Sequence, residues 1–118
     1  MFIGLLLKES LADLSLLEIL HITNVETWQA SNAVAWQPST WTAVSFEADE
    51  TQAEALAEQM SRALQPRWYI NASTASRVYV IFQGKVFIYP KGDLAQRQAV
   101  QAYARQAGVP DSQLDWGE

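Results

Sequence analysis

The sequence predicts one α+β domain spanning 1–118: a mostly antiparallel sheet of five to six strands, with two long helices, 51–64 and 94–107, on one face. Three observations predict it. Short apolar runs rich in β-branched and aromatic residues recur along the chain and are joined by brief polar connections. Two of these runs flank Gln83-Gly84, a two-residue hairpin turn in which glycine supplies the positive φ. Two longer segments instead space their apolar residues by three and four, between recognisable start and stop signals.

Phe2 to Leu7 is apolar except at Gly4, the pattern of a buried strand. Ser10 to Leu20 carries Leu11, Leu14, Leu17 and Leu20 at three-residue spacing, which predicts a short helix or helical turn. Ile19 to Gln29 mixes polar residues with β-branched Ile22, Thr23, Val25 and Thr27, so it reads as a half-exposed strand. A loop over Ala30 to Ser39 leads to a strand over Thr40 to Ala48. Thr51 and Glu54 form a capping box, in which each side chain satisfies an orphan amide of the helix start. Leu56, Met60, Ala63 and Leu64 then share one helical face until Pro66 stops it.

Arg67 to Ala72, Val78 to Phe82 and Lys85 to Tyr89 are three further strands. The last helix starts at Asp93 as N-cap, has Ala99, Val100, Tyr103 and Ala107 as its apolar stripe, and stops at Gly108 and Pro110. The hairpin fixes its own register, placing Phe82 opposite Lys85, Val80 opposite Phe87 and Val78 opposite Tyr89. Its other side carries Tyr79, Ile81, Val86 and Ile88, so both faces are apolar. With both helices on one face, the second face needs another cover. The expectation is that the 28–41 segment, with Trp28, Trp36 and Trp41, covers part of it and leaves a rim for a partner.

Hydrophobic residues make up 49% and charged residues 18%, a balance that excludes disorder. No apolar run approaches the ~20 residues of a membrane span, and Met1 to Leu7 lacks the basic start of a signal peptide. The absence of cysteine removes disulfides, thiolate metal sites and cysteine nucleophiles, and agrees with a reducing cytoplasm. The net charge is −5, unevenly spread: residues 1–60 hold nine acids against Lys8 alone, whereas residues 61–118 hold seven bases against four acids. An acidic total disfavours nucleic acid and suits a basic partner.

Catalytic signals are sparse. His21 is the one histidine and no nucleophile-elbow spacing accompanies it, so neither a common zinc pattern nor a serine triad is indicated. Glu47, Asp49 and Glu50 gather where a strand gives way to a helix, and carboxylates there favour the positive helix terminus. The scattered glycines form no phosphate cradle, and no cofactor is expected.

RWYINAS (67–73), VYVIFQGKVFIYPKGD (78–93), AYARQAGVPDSQLDW (102–116), LLLKESLADLSLLEIL (5–20) and QPSTWT (37–42) together make the chain resemble small uncharacterised bacterial proteins of unknown function. The resemblance implies a bacterial origin and an α+β domain, and brings no catalytic residue with it.

The leading expectation is a non-enzymatic cytoplasmic interaction protein of adaptor, regulator or immunity type. It would bind another protein or a second copy of itself, with Trp28, Trp36, Trp41, Glu47 and Asp49 as candidate contacts. The alternative is a small-molecule-binding or hydrolytic domain built on a carboxylate site near Glu47 and Asp49.

Overall fold

Every apolar run singled out above becomes a strand. The computed structural model describes residues 1–118 and contains β1 (Phe2–Leu7), α1 (Leu16–Ile19), β2 (His21–Gln29), β3 (Thr40–Ala48), α2 (Ala53–Ala63), β4 (Tyr69–Ser73), β5 (Arg77–Phe82), β6 (Lys85–Pro90) and α3 (Leu94–Gln106). Short 3-10 turns occupy Lys8–Ser10, Glu50–Gln52 and Asp111–Gln113. The six strands form one antiparallel sheet in the order β2-β3-β1-β4-β5-β6. The hairpin register is the predicted one: Phe82 faces Lys85, Val80 faces Phe87 and Val78 faces Tyr89. No helix is long and apolar enough to cross a membrane.

The helices sit differently from expectation. Adjacent strand residues point to opposite faces, and the two long helices divide those faces between them. Ala53, Ala57, Met60 and Ala63 of α2 pack with Phe2, Leu6, Phe46, Ile70, Tyr79 and Ile81 on one face. Val100 and Ala104 of α3 pack with Val78, Val80, Phe82 and Tyr89 on the other. The two-sided apolar hairpin is therefore covered on both sides. Over the hairpin, the second face is taken by α3 and the tail residues Val109, Leu114 and Trp116; the 28–41 segment reaches that face only at its far end, over β1 and β3. A pattern of apolar faces says that each needs a cover, not which element supplies it.

The start of α2 also differs. Asp49, not Thr51, is the cap: its carboxylate accepts from the Thr51 N–H at 3.0 Å and the Thr51 hydroxyl at 2.9 Å. The 3-10 turn Glu50–Gln52 then leads into the helix, whose own N-cap, Gln52, makes no side-chain cap bond.

Gly4 lies at the crowded centre of the sheet. A Cβ there would meet the Phe46 ring at 2.5 Å, the Ala72 Cβ at 2.7 Å and the Asn71 carbonyl at 2.9 Å, so no larger residue fits.

Coverage is uneven. On the α3 side, α3 and the tail lie over β5, β6 and part of β4. Further across, Ile3 of β1 is 54% exposed even though its strand is central. Leu5, Leu7, Ser45 and Glu47 are only half-buried, and all nine residues of β2 are exposed.

Candidate functional site

The open half of the α3 face ends in a cavity of about 580 Å³. Its floor is sheet: Leu5 and Leu7 of β1, Trp41 of β3, and Tyr69 and Asn71 of β4. Strand alternation puts these residues on one face, since Leu5 pairs with Asn71 and Leu7 with Ala43. One wall runs from Trp28 to Asn32, at the end of β2 and the start of the following loop. The opposite wall is the tail, with Gln113, Asp115 and Trp116.

Both walls are fixed by polar contacts. Gln37 in the loop and Gln113 in the tail form a reciprocal amide pair, each donating to the other's carbonyl at 3.0 and 2.6 Å, and both are buried. Gln113 also donates to the Asn32 carbonyl at 2.9 Å. The Tyr69 hydroxyl donates to the Gln113 backbone carbonyl. Burial, with the charge of Asp115 adding to it, holds the Tyr69 phenol well above its usual range, so it stays neutral. Beyond the tail wall, the Trp116 indole N–H donates to the Tyr89 hydroxyl at 2.8 Å, which donates to Glu118 at 2.9 Å. Glu118 also accepts from the Gly92 N–H and from Arg97, each at 2.9 Å. These donors, the Gly92 N–H foremost, hold its carboxyl below the ordinary range.

The three clustered tryptophans have three different fates. Trp41 is core: it is 7% exposed and donates its indole N–H to the Pro38 carbonyl at 2.9 Å. Trp36 is 37% exposed and packs edge-on against Trp68 at 5.5 Å, with the Arg67 guanidinium 4.2 Å above its ring. Arg67 holds a left-handed φ of 72°, a strained position for a residue with a side chain. Trp28 is 38% exposed at the cavity rim, its N–H donating to Glu26 at 3.0 Å. That bond, with a second from Asn24, lowers the Glu26 carboxyl pKa.

Glu47 and Asp49 lie elsewhere. Glu47 is 3.7 Å from exposed His21 on the open sheet face, and Asp49 caps the turn before α2. Both belong to a smaller depression that does not include the tryptophans. Of the candidate contacts, the structure thus brings Trp28 and Trp41 to the cavity, sets Trp36 beside it through Trp68, and leaves Glu47 and Asp49 apart. Ser73 shares a row with His21, Glu47 and Ile3, but it is two strands from Glu47. At ~4.8 Å per strand it is beyond hydrogen-bond reach. No cluster of three or more His, Cys, Asp or Glu side chains is arranged to hold a metal ion.

Sequence reading missed Tyr69, Asn71, Gln113 and Asp115 as site residues. The tail's Leu114 and Trp116 signal docking by their apolarity, but nothing local marks a glutamine that bonds 76 positions away. The lining contains no nucleophile bonded to a base. Its titratable groups are Arg67, neutral Tyr69 and Asp115, an arrangement suited to holding a ligand. Compared with known proteins, the chain matches no family model, and neither a curated protein nor a solved structure shows significant similarity to it.

Proposed function

We propose that this chain is a protein-interaction module that takes an extended segment of a partner protein along the edge strand β2. One observation carries the reading: β2 runs for nine residues at the sheet edge, exposed throughout. A bare edge offers a row of unpaired N–H and C=O groups, and native proteins normally blunt such rows. Val25 at 56% and Ile22 at 37% exposure add apolar contacts on one face of the strand, and Trp28 adds one on the other. Strand addition uses these elements: main-chain bonds for affinity and alternate side chains for specificity. Glu26 and Glu47, two of the nine acids of residues 1–60, favour a basic segment. A cysteine-free chain agrees with a cytoplasmic setting, and the resemblance noted above with a bacterial one.

A displayed peptide library selected against the immobilised protein tests this. Enriched peptides should alternate apolar with Lys or Arg residues. They should bind a Val25→Lys/Thr27→Lys double variant at least tenfold more weakly, because edge lysines block pairing, while the melting temperature stays within about 2 °C, as surface changes allow. Unchanged binding to that variant would exclude β2 as the docking edge.

A further inference from the structure

We infer that the cavity between the tryptophan loop and the tail is a binding site for a small organic cation, an ammonium group carried on an apolar body. This site shares Trp28 and Glu26 with the β2 edge, but its floor on β1, β3 and β4 and its Asp115 carboxylate lie beyond that edge, so it can bind whether or not the edge takes a strand.

The lining sets the class of ligand. Leu5, Leu7 and Trp41 form an apolar floor, and Trp28 and Tyr69 flank it with ring systems; the buried Trp116, whose ring already carries the Arg97 guanidinium at 5.0 Å, closes the tail side. Aromatic faces carry partial negative charge and attract cations within about 6 Å, most strongly where water is excluded. Asp115 lines the cavity and takes part in no ion pair. The bases nearby are already engaged: Arg97 with Glu118 at 2.9 Å and Arg105 with Asp111 at 2.6 Å. Arg67 also borders the cavity, but its head is held over Trp36, a ring that is not part of the lining. Glu26 adds a second carboxylate, bonded to Trp28 at the rim and paired with no cation.

Size and polarity agree. At about 580 Å³ the cavity lies within the ~300–1,000 Å³ range of small-molecule sites. Asn71 stands in the middle of the floor, where its side-chain amide bonds to no other protein group and is open to a ligand donor or acceptor. An anion would face Asp115, Glu26 and a net charge of −5. A neutral ligand would gain the floor but not the field.

Three probes of matched shape separate these cases: phenethylammonium, 2-phenylethanol and 3-phenylpropionate, titrated by calorimetry and tryptophan fluorescence at low salt. Phenethylammonium should bind at least tenfold more tightly than the alcohol, with the propionate weakest. Asp115→Asn should bring the ammonium close to the alcohol. Trp28→Ala should weaken both the ammonium and the alcohol. Both residues are exposed, so both variants should melt with the parent. Three outcomes overturn the inference: propionate binding as tightly as the ammonium, an Asp115→Asn variant that keeps the full ammonium preference, or no saturable signal from any probe.

Discussion

At β6 the sheet ends in six residues bounded by Lys85 and Pro90, with Tyr89 buried and Phe87 packed against α3; at β2 it ends in nine residues that no helix or loop covers. A lysine and a proline on an edge strand hinder pairing with another chain. β2 has neither. Its one irregularity is a bulge between Ile22 and Asn24, which leaves the stretch from Asn24 to Gln29 regular. The two edges teach that this sheet is finished on one side only. Burial follows the same gradient: rings interlock around Phe82 at one end, while Val25 stands in water at the other.

Three substitutions would break or sharpen that contrast. Phe82→Ala has the largest expected effect. Phe82 is 2% exposed and touches Tyr69, Phe87 and Tyr103, so its loss should cost about 3–5 kcal/mol, measured by denaturant unfolding. A cost near that of a surface change would mean the β6 end is no better packed than the β2 end.

Next comes Glu118→Gln, which tests the tail that seals the β6 side. The Glu118 carboxyl pKa is depressed in the folded state, chiefly by the Gly92 N–H and then by Arg97. A carboxylate with a depressed folded pKa contributes stability that is present above its unfolded pKa and is lost as pH falls through the folded one. The parent should therefore lose stability below about pH 4.5, the ordinary value for such a group. The variant should be weaker by about 1 kcal/mol at pH 7, the net worth of an ordinary hydrogen bond at this partly exposed carboxylate, and its acid limb should be flatter. Parallel acid limbs in the two proteins would detach Glu118 from the tail's stability.

The smallest effect belongs to β2. Val25→Ala should change stability by less than about 0.5 kcal/mol, because the side chain is already 56% exposed. A larger loss would show that β2 is part of the cooperative core and not a spare edge.

How much of this was legible in the sequence follows from the range of the interactions. The Gln83-Gly84 turn is local, and its register came out residue for residue. Asp93 as N-cap is local too: its carboxylate accepts from the Gln96 N–H at 3.1 Å. The Thr51–Glu54 box failed because Asp49, two positions earlier, competes for the same amide and wins it. The side taken by α3 was not legible, since Val78 to Phe82 is apolar at every position and offers a helix either face. The cavity was legible only in fragments. Trp28 and Trp41 announced themselves by composition. Asn71 and Asp115 are ordinary polar residues whose meaning comes from strands and a tail brought together by the fold.

The buried amide pair between Gln37 and Gln113 has a consequence for motion. Separating the loop from the tail would break both bonds of the pair and exchange them for bonds to water, a net loss of about 0.5–1.5 kcal/mol each. The pair should couple the two segments, so that their amides exchange with solvent at a shared rate although 76 positions part them. The two walls of the cavity would then act as a single door, hung from distant parts of the sequence and latched by two glutamines.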